Sequence, residues 1–139
     1  MRVPGTNPFY PHRDEQQANR FHDLMGTCDF DVFLLNTGRV GGTDGDERSK
    51  KVQIEHSGAI VKAIAEGTIS WERDPDFGYE VATSLPGLDD AELLQPRRLY
   101  ERTGRAADYA EWVSRLKRER IEFLEGFPGL SPEILAAVS

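Results

Sequence analysis

Cysteine is almost missing from this chain: Cys28 stands alone among 139 residues, so no disulfide can form within it. A lone thiol with no activating partner in view reads as a buried or neutral side chain rather than a nucleophile. Together with a polar, unsignal-like first twenty residues, it points to a reducing, cytoplasmic setting. Long apolar runs are absent too, which excludes a membrane span and leaves no membrane partner to expect. Basic charge is outnumbered, 17 Lys and Arg against 24 Asp and Glu, for a net charge of −7. That balance opposes non-specific nucleic-acid binding, so no nucleic-acid partner is expected. His12, His22 and His56 form neither H-x-x-x-H nor H-E-x-x-H pairs, and no metal site is predicted. Internal repeats and low-complexity segments are also lacking.

What is present fits one soluble globular domain over residues 1–139, with 38% apolar and 29% charged residues and a mean hydropathy of −0.55. The chain is organised around Asp31 to Gly45. Val32, Phe33, Leu34 and Leu35 form an apolar run of strand formers too short for a helix. Gly38, Gly41, Gly42 and Gly45 then make a loop able to take positive φ or to let a ligand approach the backbone. No Lys-Ser or Lys-Thr follows the glycines, so this is not a phosphate loop. It also lacks the dinucleotide fingerprint and the ligand spacing of a calcium loop. A mobile turn and a ligand contact both remain open as readings of the loop alone.

Residues 1–13, with Pro4, Gly5, Pro8 and Pro11, predict an extended arm anchored by Phe9 and Tyr10. Asp14 as N-cap and Gly26 as stop bracket a helix with Ala18, Phe21, Leu24 and Met25 on one face. Lys51 to Glu55 alternates as a half-buried strand carrying Val52 and Ile54 inward, and Ser57 then caps a short helix ended by Gly67. Such a helix start offers free N–H groups to an anion. Ile69 to Trp71 reads as a strand, Asp74-Pro75-Asp76 as a turn, and Phe77 to Leu85 as a second alternating strand. Asp89 or Asp90 caps a single turn reaching Leu94. Tyr109, Trp112, Val113, Leu116, Phe123, Leu124 and Phe127 keep helical spacing and predict a long helix near 106–126 whose aromatic stripe is core. Ser131-Pro132-Glu133 opens a last short helix. The expected class is α+β. A small mixed sheet from the segments near 31–36, 50–55, 69–72 and 78–85 is covered by helices, with those near 57–66 and 106–126 on its apolar faces.

Arg48-Ser49-Lys50-Lys51 is the dense basic cluster of the first half. His56 lies between it and the expected helix start, where an acid or base could meet an anion. A plain surface imidazole is the competing reading.

From Asn7 onward the chain resembles the C-terminal part of ATP-type phosphoenolpyruvate carboxykinases. The match begins at Asn7-Pro8-Phe9-Tyr10-Pro11-His12, similar to the family's Ala-Pro-Phe-Leu-Pro-Leu-His-Pro. It is sharpest at Val32 to Gly42, where the family has a strand followed by Asn-Thr-Gly-Trp-x-Gly-Gly. Lys51 to Ile60 resembles Arg-Ile-x-Ile-Lys-x-Thr-Arg-Ala-Ile, and Phe77 to Thr83, Leu85 to Leu88 and Leu94 to Arg97 continue in order. The resemblance implies the fold of the family's C-terminal lobe and a grip on the adenine end of ATP. Lys51, Val52 and Ser57 would stand for arginine, isoleucine and threonine in that grip. Lysine neither stacks nor forks as arginine does, so the grip should be weaker. Arg39 replaces the loop tryptophan, and Gly58 the arginine after the threonine. The family's phosphate loop, metal-binding aspartate and substrate-gripping cations lie upstream of this region, so the resemblance implies no complete carboxykinase and no metal here.

Three functions follow as expectations. The first is binding of ATP, ADP or a similar anionic ligand, with a partner subunit if the chain is one lobe of a split enzyme. Its ligand-binding residues would be Asn36, Thr37, Gly38, Gly41, Gly42, Lys51, Val52 and Ser57. The second is a small stand-alone lyase, isomerase or cyclising enzyme for a carboxylated metabolite. There Arg39 and Lys51 would hold the carboxylate, and His56 or Glu55 would move a proton. The third is a non-catalytic interaction module.

Overall fold

The computed structural model describes residues 12–138. The expected arm of residues 1–13, with its anchors Phe9 and Tyr10, lies almost wholly outside the described residues. The elements are α1 (Asp14–Thr27), β1 (Arg39–Val40), β2 (Lys50–Lys51), α2 (Ile54–Glu66), β3 (Ser70–Arg73) and β4 (Glu80–Ser84). They are followed by α3 (Ala91–Leu94), α4 (Pro96–Arg102), α5 (Ala106–Glu125) and α6 (Pro132–Ala136). The class is α+β. The expected single mixed sheet is replaced by two separate antiparallel pairs, β1–β2 and β3–β4. No described helix is long and apolar enough to cross a membrane.

The described residues fall into two compact units, one from residues 12–32 with 114–138, the other from 33–113. In the first, α1 begins at Asp14 with Arg13, not Asp14, at the cap position, and it runs one residue past Gly26. Asn19 ties this unit together. Its Nδ2 donates to the Gly129 carbonyl at 2.8 Å and its Oδ1 accepts the Ser131 N–H at 2.8 Å. These bonds hold the approach to α6 beside buried Leu130. Phe123 and Phe127 meet edge to face, their centroids 5.1 Å apart.

In the second unit the expected strand at 31–36 does not form; Leu34 is 96% exposed. A run of strand formers becomes a strand only where a neighbour offers a ladder, and none does here. Phe33 is held instead by its ring, stacked on Trp71 at 5.6 Å. The β3–β4 hairpin pairs Trp71 with Ala82 and Arg73 with Glu80, with an irregularity between Ser70 and Trp71. Its turn is closed by Asp74, whose Oδ1 accepts the N–H groups of Asp76 and Phe77. That is the local chemistry expected of Asp-Pro-Asp.

Two apolar clusters stabilise this unit. Ala63 on α2 packs with Leu85 and Leu88, joined by Ala59, Ile60 and Ile69. Val40, Val52 and Leu99 form the other, with Leu93 against it. Helix α4 lies beyond the expected single turn to Leu94; Pro96 opens it at the first helical position, where its missing N–H is harmless. It carries Leu99, the most deeply buried side chain, 0% exposed. The expected core stripe of α5 is corrected as well: no residue of α5 is buried, and Trp112, Leu116 and Phe123 stay more than two-fifths exposed. Helical spacing places side chains on one face but does not supply a surface to cover them.

Leu99→Ala is expected to lower unfolding stability by about 2–5 kcal/mol, through lost transfer energy and the cavity left behind. Leu34→Ala should shift it by less than about 0.5 kcal/mol. Urea unfolding followed by circular dichroism reads both; equal effects would contradict this assignment of the core.

Candidate functional site

The site is built from the two shortest strands. Arg39 pairs with Lys51 and Val40 with Lys50, and the Val52 N–H donates to the Gly38 carbonyl at 2.9 Å. Residues 36–42 and 51–57 are therefore brought together, with Val52 turned into the core at 7% exposure. The expected strand through Glu55 is shorter than its alternation suggested. Gln53 is already the helix N-cap, and Ile54, expected inward, opens α2 with 92% of its surface exposed.

This moves the helix start. His56 occupies the third helical position, and its Nδ1 accepts the Gln53 N–H at 3.2 Å, closing a capping box. Ser57, expected as the cap, lies inside the first turn, with its N–H bonded to the Gln53 carbonyl. The N–H groups at the helix entrance consequently belong to residues nearer Lys51 than the sequence suggested. Neutral His56 in this arrangement carries its proton on Nε2, which makes that nitrogen a donor. Gly67 ends α2 with φ 65°, as expected. Glu55 and His56, with Gly87, Leu88, Asp89 and Asp90, line an open groove beside this entrance.

The glycine loop is internally braced. Asn36 Oδ1 accepts the Gly38 N–H at 2.8 Å and its Nδ2 donates to the Arg39 carbonyl at 3.1 Å. Thr37 is exposed. Gly41 has φ 83°, and a Cβ there would fall 2.5 Å from Leu99 Cδ2; one on Gly42 would fall 2.8 Å from Asp46 Oδ2. A side chain at Gly41 would have to displace the wholly buried Leu99, and one at Gly42 the Asp46 carboxylate. Ser49 is buried and donates through Oγ to the carbonyls of Thr43 and Asp46 while accepting from Arg39 Nε at 2.9 Å. Arg39 Nη1 also meets Asp44 at 3.0 Å, and Asp46 accepts from Arg48 side chain and backbone. The Arg48 hydrogen bonds hold the Asp46 carboxyl down to about 2. The loop acids thus neutralise loop arginines, whereas Lys51 is exposed with no ion-pair partner among the described residues.

Beneath the loop, Lys50 Nζ bridges Asp90 and Glu92, each at 2.6 Å, and Arg102 also donates to Glu92. Burial works against the Lys50 charge, but the two carboxylates outweigh it and raise its pKa. Glu92 is held down to about 2 by Arg102 and then Lys50. This knot joins β2, α3 and α4, and sequence reading missed it because Lys50 lies forty or more positions from the carboxylates it bridges. A second cavity of about 240 Å³, lined among others by Arg73, Gln95, Arg97, Arg98 and Tyr109, lies by the β3–β4 turn. Arg97 pairs there with Asp76 and stacks 5.4 Å over Tyr109, whose hydroxyl burial pushes up to about 12. Among the described residues no group of three or more His, Cys, Asp or Glu could hold a metal ion.

A braced glycine loop feeding a capped helix start beside an uncompensated lysine defines an α+β protein with a solvent-facing loop-and-helix site. Residues 5–91 match the family model of phosphoenolpyruvate carboxykinase, ATP type. The phosphoenolpyruvate carboxykinase (ATP) of Shouchella clausii is 32% identical over 133 residues, covering 94% of this chain and 24% of that protein. Those of Aeropyrum pernix and Cereibacter sphaeroides strain ATCC 17029 are 27% and 32% identical, with the same coverage. The chain belongs to the ATP-type phosphoenolpyruvate carboxykinase family, and it spans about a quarter of the length of these relatives.

The lowered pKa of Glu92 carries a sign. A carboxylate depressed in the folded state contributes stability above its ordinary value of 4.5, and that contribution is lost as pH falls toward about 2. Thermal unfolding measured at several pH values between 2 and 5 should show a shallower acid loss in Glu92→Gln than in the parent; identical slopes would remove Glu92 from the linkage.

Proposed function

We propose that this chain binds an adenine nucleotide, ATP or ADP, or a similar phosphorylated anion where β1, β2 and the start of α2 meet. By itself it does not interconvert oxaloacetate and phosphoenolpyruvate. The observation that carries this reading is the placement of Lys51: exposed, without an ion pair among the described residues, beside Arg39 across the strand pair and just before the helix entrance. A cation next to free helix N–H groups attracts an anion. The relatives' name includes ATP, and the Lys51–Val52–Ser57 set lies inside the matched residues, which supports a nucleotide over other anions.

In this reading Gly38 lets the ligand approach backbone, Gly41 and Gly42 border the ligand by turning the chain tightly against Leu99 and Asp46, and Asn36 and Thr37 shape the loop entrance. Val52 turns its side chain into the core and serves by fixing where Lys51 sits. Ser57 and Glu55 border the helix start, and His56 offers an Nε2 donor while its Nδ1 keeps the cap. Arg39 is already engaged by Asp44, so that carboxylate competes with an incoming anion for the guanidinium. A partner subunit bringing the phosphate-clamping groups would be needed for phosphoryl transfer.

Calorimetric titration with ATP and ADP tests the reading. Binding with a dissociation constant in the high micromolar to millimolar range is expected, roughly −4 to −6 kcal/mol. Lys51→Ala should weaken it about fivefold or more, and Asp44→Asn should tighten it about twofold. No heat and no thermal shift with millimolar nucleotide would overturn the proposal.

A further inference from the structure

Arg105 is a loop partner that the sequence did not reveal, and it lies beyond the residues matched by the family model. Its side chain is nine-tenths buried, 10% exposed. Nε donates to Thr103 Oγ1 at 3.0 Å, and Nη1 donates to the Gly41 carbonyl at 2.8 Å. Nη1 also lies 3.8 Å from Asp46 Oδ2, and the guanidinium rests 4.6 Å over the ring of Tyr100. Its Nη2 is buried with no hydrogen-bond partner. The group is thus clamped from the side by Thr103 and from one face by Tyr100, and its directed bond to the loop falls on the residue where the chain turns with φ 83°.

Gly41 is fixed twice. Leu99 Cδ2 occupies the space that a Cβ would need, and Arg105 holds the carbonyl. Leaving a buried guanidinium nitrogen unpaired is unfavourable, and the arrangement persists through the bonds made by the other nitrogens. A lysine cannot lie flat on Tyr100 while donating to both Thr103 and Gly41, because that takes a planar group with several directed donors.

We propose that Arg105 is a positioning residue for the glycine loop: by holding the Gly41 carbonyl it sets the direction of the loop backbone and so the affinity of the anion site. The affinity half of this inference rests on the nucleotide reading above; the loop half does not. The guanidinium acts from beneath the loop, through Gly41, and touches no ligand itself.

The test compares the parent with Arg105→Met, Arg105→Lys and a control, Arg97→Met, which breaks a different, part-buried arginine contact to Asp76 in the same unit. Hydrogen exchange without ligand is read over residues 38–49. A rise of about tenfold or more is expected in both Arg105 variants and little change in Arg97→Met, with circular dichroism confirming that each is folded. ADP titration should show about tenfold weaker binding for the Arg105 variants, about 1.4 kcal/mol, and partial recovery of Arg105→Met in millimolar guanidinium. Unchanged loop exchange in both Arg105 variants, or an equal rise in the control, overturns the inference. If the parent itself binds no nucleotide the functional reading fails, while the exchange data still decide the role of Arg105. A faster loop with unaltered ADP affinity overturns the coupling between loop and site.

Discussion

Everything around the loop depends on the contact between Leu99 and Gly41. A leucine with no exposed surface presses so closely on the backbone of a turn that no residue with a Cβ fits above it. Val40 and Val52, one from each side of the β1–β2 pair, complete that cluster. Strands of two residues cannot hold a register through their own hydrogen bonds, since an isolated hairpin is marginal even when longer. The register of Arg39 opposite Lys51 is set by the burial of their neighbours Val40 and Val52 against α4, and Lys51 stays exposed beside the buried Val52.

The charges follow the same logic. This stretch is rich in both signs, and most of them are engaged with one another: Asp44 with Arg39, Asp46 with Arg48 and, more distantly, Arg105, and Lys50 with Asp90 and Glu92. Asp44 and Asp46 serve as counter-ions of nearby arginines. Lys51 is left over. A net charge of −7 for the chain therefore says little about the local field at this one point, where an exposed cation without an ion-pair partner among the described residues precedes the start of α2 by three positions.

The sequence was legible where a local rule fixes a local shape. Gly67 as a left-handed stop, the Asp74 turn, the short turn after Asp90 and Pro132 opening α6 all follow from side chains acting within a few residues of themselves. It was illegible where one competing local rule displaced another. Ser57 is a good cap in general, but Gln53, paired with His56, caps four residues earlier, and the helix then takes Ile54 out of the strand that its alternation implied. The contributions of Lys50, Asn19 and Arg105 were invisible for a different reason: each acts on a partner far along the chain, and no periodicity marks such a pair.

Leu34 and Leu99 show the limit most clearly. The first sits in the most apolar run of the chain and is 96% exposed; the second stands between charged and polar neighbours and is wholly buried. An apolar run measures the tendency to leave water, not the presence of a surface to leave it for. At Leu99 that surface is a glycine turn and two valines brought from forty to sixty residues away, and at Leu34 no such surface exists within the unit. The same distinction separates the inner face of α2, which meets Leu85 and Leu88, from the aromatic face of α5, which is equally periodic and stays half-exposed. Burial in this chain is decided by what the turns deliver, and the glycine loop, held at Gly41 by both Leu99 and Arg105, is the turn that delivers the site.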